Sequence, residues 1–234
     1  MKSKLIFFYT YIVFLHILVI GFVYSPIQFI RGKDLNRITE DFYINNLNAF
    51  HQIKSEQFTD SRNILIGDSI IQSLDESSLN ERILNWGIGY MRSDQLKTKT
   101  ARTVALHQAE TVFIYIGIND LHKNVAVSKI IKNVESILIN VRQSCKVKLI
   151  SLLPISRERQ DKFGLQKQII EYNALLEKLS TRQSNVDYID LYKRFSDEHG
   201  YLKSIYDRGD GLHLNGKGSK AFTVAINREF LRGE

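Results

Sequence analysis

A single cysteine, Cys145, stands among the 234 residues, and one thiol cannot close a disulfide within the chain. It precedes an apolar run and has no local nucleophile signature, so it reads as an ordinary semi-buried thiol. No group of histidines and cysteines has metal-ligand spacing, so neither structural zinc nor any other cofactor is expected. Internal repeats and low-complexity tracts are missing as well. With 44% hydrophobic and 24% charged residues, the composition is that of an ordinary globular chain rather than a disordered one. The length allows one good-sized domain and an appendage.

Negative charge is absent from the first 33 residues, where Lys2, Lys4, Arg31 and Lys33 contribute +4 of the net +7. The remainder carries 28 basic and 25 acidic residues, interspersed. Its densest basic stretch, Lys97 to Arg102, has no aromatic residues between the cations for stacking on bases. That run reads as a solvated helix face, and a nucleic-acid partner is excluded.

Residues 5–24, LIFFYTYIVFLHILVIGFVY, hold no charged side chain. A helix of that length spans roughly 30 Å, the thickness of the hydrocarbon core. Tyr9, Tyr11 and Tyr24 lie near its ends, where amphipathic rings favour the headgroup region. His16 is the one costly residue, and it can stay neutral. A cleavable signal peptide would have a shorter apolar region and end in small residues, whereas bulky Ile27-Gln28-Phe29-Ile30 follows here. The expectation is an uncleaved single-pass transmembrane helix, with residues 1–33 as the anchor. Lys2 and Lys4 favour a cytoplasmic N-terminus and an extracytoplasmic domain, although Arg31, Lys33 and Arg37 on the far flank pull the other way. Residues 34–60 read as a polar stalk with helical character, from which Phe42, Leu47 and Phe50 are expected to pack on the domain at 61–234.

Beyond residue 60, short apolar runs alternate with amphipathic stretches. The runs Asn63–Ile66, Arg82–Asn85, Thr111–Ile116, Val147–Leu153 and Val186–Ile189 are expected strands. Helical patterns lie over Ile70–Ser77, Ser93–Leu106, Val127–Arg142, Gln166–Thr181 and Gly216–Phe230. This alternation demands crossover connections. It predicts an α/β fold, a three-layer α/β/α sandwich on a parallel, flavodoxin-like sheet. Runs such as VFIYI and VKLISLL are apolar on both faces, as a doubly covered sheet requires. Ligands in such folds sit beyond the carboxyl ends of the strands.

Four motifs follow those strand ends or lead into the last helix. Ile66-Gly67-Asp68-Ser69-Ile70 places a serine at a helix start after a tight glycine turn. Free N–H groups there favour developing negative charge, but Gly-Asp-Ser is equally good capping chemistry. Asn85-Trp86-Gly87-Ile88-Gly89-Tyr90 can bring backbone amides near an oxyanion, or simply make a turn. Ile116-Gly117-Ile118-Asn119-Asp120 offers a side-chain amide donor, or a polar turn. Asp210-Gly211-Leu212-His213 supplies a base and the acceptor that fixes its tautomer, with Asn215 ready to cap the final helix.

All four in this order are hard to explain as turns, and together they resemble the SGNH hydrolase family, also called GDSL-like lipases and esterases. The resemblance spans residues 64–218. It implies a Ser69 nucleophile, an Asp210–His213 pair completing the triad, and Asn119 in the oxyanion hole with the Ser69 amide. The second block departs from the family pattern NxGxxG. Counted from Asn85, the family glycine falls on Tyr90, with Gly89 beside it, so either amide is a candidate donor.

What the resemblance implies is acyl transfer: a serine esterase acting on short, above all acetyl, esters of carbohydrate. No long apolar insertion is present to form a lid for longer chains. An O-acyltransferase modifying an envelope polysaccharide would use the same residues. A catalytically idle glycan-binding module is the reading from another class, and the complete Ser, His, Asp and Asn set weighs against it. Asp68 and Asp120 are expected to brace loops, and Trp86 to pack beneath the second motif or, less readily, to touch a sugar. His122 can line the pocket. Ser156–Arg159, SRER, reads as a solvated loop rather than a mobile rim that meets an anionic or glycan substrate.

Overall fold

The computed structural model describes residues 14–17, 34–57, 63–80, 83–102, 109–141 and 145–231. Five parallel strands form one sheet: β1 Asn63–Gly67, β2 Ile83–Gly87, β3 Thr111–Tyr115, β4 Lys146–Ile150 and β5 Val186–Ile189. Their spatial order is β2-β1-β3-β4-β5, with Asn63 opposite both Ile83 and Thr111, and Val147 opposite Val186. Branched and aromatic residues fill β1 and β3 and are buried on both faces, as parallel pairing between two helical layers demands.

The helices are α1 Asp34–Gln57, α2 Ser69–Gln72, α3 Ser93–Arg102, α4 Ile118–His122, α5 Val127–Asn140, α6 Arg157–Phe163, α7 Gln166–Ser180, α8 Tyr192–Phe195 and α9 Gly216–Leu231. A 3-10 turn spans Glu76–Ser78. The connection from β1 to β2 runs in one direction across the sheet, and the later ones run in the other. Right-handed crossovers therefore put the two sets on opposite faces. In agreement, α5 packs on α3 and α7, while α9 packs on the 3-10 turn. Helix α5 buries Val127, Ile130, Val134, Ile137 and Leu138, one stripe at helical spacing. On the other face Phe222 of α9 meets the Tyr115 ring edge-on at 5.8 Å. The expected three-layer arrangement on a parallel sheet is present.

The chain divides into compact units Met1–Asn46 and Leu47–Glu234, so the end of α1 belongs with the larger unit. His51 stacks on Trp86 with ring centroids 5.8 Å apart, and the Lys54 ammonium pairs with Glu76. Phe50, expected to pack on the domain, is instead exposed, and Leu47 is half-buried. Trp86 is buried under His51, with the Lys99 ammonium 5.3 Å from its ring, and is not placed to touch a sugar. Of the expected membrane span at 5–24, only residues 14–17 are described, and these are helical and exposed. Among the described residues no helix is long and apolar enough to cross a membrane.

Candidate active site

The strand order reverses direction between β1 and β3, and a crevice opens at the carboxyl ends of such a pair. Ser69 follows β1 and Asn119 follows β3. Close packing fixes the first of these. A side chain at Gly67 would place its Cβ 2.3 Å from the Tyr115 carbonyl oxygen and 2.5 Å from the Ile71 side chain. The glycine is there for space, not for the turn freedom that its position suggested. Asp68 then caps α2, accepting a hydrogen bond from Ile70 N–H at 2.9 Å. Burial, with Asp120 adding to it, pushes the Asp68 carboxyl up to about 7.

Ser69 Oγ lies 2.9 Å from His213 Nε2, and His213 Nδ1 lies 2.7 Å from Asp210 Oδ2. With the Nδ1 proton directed at the carboxylate, Nε2 is left to accept from the serine hydroxyl. The other carboxylate oxygen accepts from the backbone N–H groups of Leu212 at 3.1 Å and His213 at 2.8 Å. Burial opposes charge on Asp210, but these bonds, the His213 ring and Arg208 outweigh it and hold the carboxyl well below the usual carboxylate range. Asp210 and His213 thus form one turn whose backbone orients its own acid. Asn215 accepts from Gly218 N–H at 3.0 Å, the expected cap of α9.

The second motif lies differently from its reading as a loop after a strand. β2 runs through Asn85, Trp86 and Gly87. Asn85 Nδ2 donates to the Ile71 carbonyl at 2.8 Å, locking the strand end to α2. Gly89 N–H donates to Gln72 Oε1 at 2.7 Å, one turn beyond Ser69, so that amide is engaged within the protein. Tyr90 follows with φ of +63°, a left-handed conformation that costs a bulky residue about 1–2 kcal/mol. Met91 is held in turn, its carbonyl accepting from Asn119 Nδ2 at 3.0 Å. The Tyr90 backbone is therefore clamped between the helix that starts at Ser69 and the Asn119 side chain, while its ring is exposed. One Asn119 Nδ2 hydrogen serves Met91 and leaves the second for a ligand.

Asp120 accepts from Ser93 N–H at 2.9 Å and from Ser93 Oγ at 2.6 Å, and Asn133 Nδ2 donates to Ser93 Oγ at 2.8 Å. The acid braces α4 against α3, as expected. His122, one turn beyond Asn119, comes to the same site. Its protonation is pushed down to about 4, by burial first, then by Arg159 and His213. The SRER segment is a capped helix rather than a solvated loop. Ser156 Oγ accepts from Arg159 N–H at 3.2 Å, and Ser156 N–H donates to the Gly211 carbonyl at 2.9 Å. Two arginines are drawn in here, Arg159 of the SRER segment and Arg208, which sequence reasoning passed over. Arg159 Nη1 donates to the Asp210 carbonyl at 3.0 Å, with Nη2 3.1 Å from His122 Nε2, and Arg208 Nη2 donates to Asp210 Oδ2 at 2.6 Å.

The model of the GDSL-like Lipase/Acylhydrolase family matches residues 65–221. Among solved structures, one from Streptococcus pneumonia, provisionally described as a platelet activating factor, is similar at 24% identity and a TM-score of 0.71, covering 82% of this chain and 96% of its own. A GDSL-like lipase from Bacteroides thetaiotaomicron is 19% identical with a TM-score of 0.67, covering 80% and 100%. A catalytic mutant of an acetylxylan esterase from Geobacillus stearothermophilus is 17% identical with a TM-score of 0.57, covering 73% and 92%. At these identities the structures speak for the fold alone. No curated protein matches the chain.

Proposed function

The chain belongs to the GDSL-like lipase/acylhydrolase family and is an ester hydrolase; from that premise we propose that it is a serine esterase for short acyl groups, above all acetyl, carried on carbohydrate. The observation that carries the reading is the unbroken relay from Ser69 Oγ through both His213 nitrogens to Asp210 Oδ2. His213 Nε2 takes the Ser69 proton as Oγ adds to the ester carbonyl. Asp210 holds the imidazole and balances the imidazolium. The oxyanion is bound by the Ser69 amide, Asn119 Nδ2 and the Tyr90 amide. Tyr90 is preferred over Gly89 because the Gly89 amide is engaged with Gln72. Collapse of the adduct releases the alcohol with the proton from His213. Water, deprotonated by the same ring, then frees the acid from Ser69.

Acetyl on carbohydrate is supported by the likeness to an acetylxylan esterase and by the lack of a long apolar insertion. We also place a membrane anchor over residues 1–33 and a stalk over 34–60, with the catalytic domain outside the cytoplasm, on the strength of the uncharged stretch 5–24 and the lysines before it. The test of the esterase is hydrolysis of p-nitrophenyl acetate by the full-length chain in mild detergent, beside its Ser69→Ala variant. The parent is expected to turn over, and the folded variant to lose on the order of 10⁴-fold or more in rate. A folded parent without activity, or a variant as active as the parent, would sink the reading. A para-nitrophenyl ester series in which octanoate outruns acetate would overturn the short-chain assignment.

A further inference from the structure

Acyl transfer by Ser69, His213 and Asp210 calls for no arginine, yet two guanidinium groups converge on Asp210. Arg208 reaches its carboxylate from the loop before α9, with Nη2 2.6 Å from Oδ2 and 3.4 Å from His213 Nδ1. Arg159 reaches its carbonyl oxygen from α6, at 3.0 Å. The Asp210 carboxylate is already required to balance the imidazolium, and one carboxylate cannot neutralise two guanidiniums as well.

Arg159 Nη2 faces the His122 ring at 3.1 Å, and its guanidinium lies 5.0 Å from the Phe163 ring. Among the described residues Arg159 pairs with no carboxylate. On the same helix Glu158 and Asp161 are exposed and are offset by Arg157 and Lys162. Asp207 directs its Oδ1 to the backbone N–H groups of Gly209 and Gly211, at 2.8 and 3.0 Å. The rim of the triad therefore holds two guanidiniums fixed in place by hydrogen bonds, and among the described residues only that of Arg208 meets a carboxylate directly.

The two arginines differ in what they leave open. Arg159 is part-buried, and its Nε is sealed from solvent without a partner. The Arg208 side chain is 60% exposed, with only Nη2 engaged among the described residues, so its other N–H groups are open to solvent. A guanidinium with an open edge matches a carboxylate or phosphate by paired, charge-assisted hydrogen bonds. Its place also selects a side of the substrate. The leaving oxygen must collect its proton from His213 Nε2, so the alcohol portion begins at that nitrogen, and Arg208 stands at the Nδ1 edge of the same ring.

We propose that Arg208 is a specificity-determining residue and that the ester this site takes bears an anionic group on its alcohol portion. The inference rests on the esterase reading for the side of the substrate, but the affinity for an anion can be read without turnover.

The probes are para-acetoxybenzoate and para-acetoxyphenyl phosphate, with neutral para-acetoxybenzamide as reference. For the full-length chain, kcat/KM is expected to favour at least one anionic ester by about tenfold over the amide at low ionic strength. That ratio should fall by about fivefold or more in Arg208→Gln, return largely in Arg208→Lys, and shrink between about 0.05 and about 0.5 M salt. A merely structural role for Arg208 lowers all three rates together and leaves the ratio unchanged. A ratio unmoved by Arg208→Gln, or no anionic preference in the parent, overturns the proposal. Calorimetric titration of Ser69→Ala with the same esters separates the two readings. Discrimination there without hydrolysis of p-nitrophenyl acetate by the parent removes the esterase and keeps the anion site. Hydrolysis with no discrimination in either assay keeps the esterase and removes the anion site.

Discussion

Two histidine–arginine pairs flank Asp210, and they differ in what stands between the partners. His213 and Arg208 share the Asp210 carboxylate, which lies 2.7 Å from the ring and 2.6 Å from the guanidinium. His122 and Arg159 meet directly at 3.1 Å, ring nitrogen against guanidinium. The carboxylate holds the Nδ1 side of the first ring and stands between it and a permanent cation. The second has no such carboxylate between its partners. Its protonation is pushed down to about 4, by burial and then by the charges of Arg159 and His213. One residue type beside one cation thus becomes a base in one place and a neutral acceptor in the other.

Removing the carboxylate should turn the first pair into the second. Asp210→Asn keeps the shape but offers the imidazole an amide and leaves Arg208 unbalanced. We expect kcat/KM for p-nitrophenyl acetate to fall on the order of 10³ to 10⁴-fold with little change in fold, checked by steady-state kinetics and circular dichroism. A loss under tenfold would show that the carboxylate is not what separates the two histidines. Asn119→Ala, which leaves both pairs untouched and removes one oxyanion donor, should cost less, about 10²-fold, mostly in kcat. An Asn119→Ala loss larger than that of Asp210→Asn would reverse the ranking of relay and hole.

This contrast was half legible in the sequence. The five strands stand out because parallel strands between two layers are apolar on both faces; the blocks after β1 and β3 carry Ser69 and Asn119, and the turn before α9 brings Asp210 and His213 to Ser69. The short helices α4, α6 and α8 were not read, since seven residues or fewer display too little periodicity to tell from a loop. The contacts of Arg159 and Arg208 escaped for another reason. In SRER and DRGD they look like solvated charge, and their partners are a carbonyl 51 residues away and a carboxylate two residues on. The only local sign was Arg208 standing beside the Asp–His motif. Trp86 packs as expected, but the ring that covers it, His51, comes from α1, which no local pattern reveals. Gly67 was recognised as necessary, but the reason for it is the approach of Tyr115 and Ile71, which no local rule reveals.

The smallest expected effect concerns the second pair and appears in stability rather than rate. Unfolded, His122 takes up its proton near the ordinary value of 6.5; folded, it does so only near 4. Between those values the unfolded chain binds more protons at this ring, so the ring's contribution to stability grows as pH rises from about 4 to about 6.5. Conversely, acidification across that window draws the chain toward the unfolded state. The full shift would correspond to about 3 kcal/mol, and solvent screening of a half-buried ring reduces it to about 1 kcal/mol. His122→Gln retains an acceptor for Arg159 Nη2 but cannot titrate. Thermal melts of the two proteins should therefore agree near pH 7 and diverge toward pH 4.5, the variant melting about 2–4 °C higher there. Parallel curves through the whole window would mean that His122 charges in the fold as easily as outside it, and that a guanidinium at hydrogen-bond distance does not by itself keep an imidazole neutral.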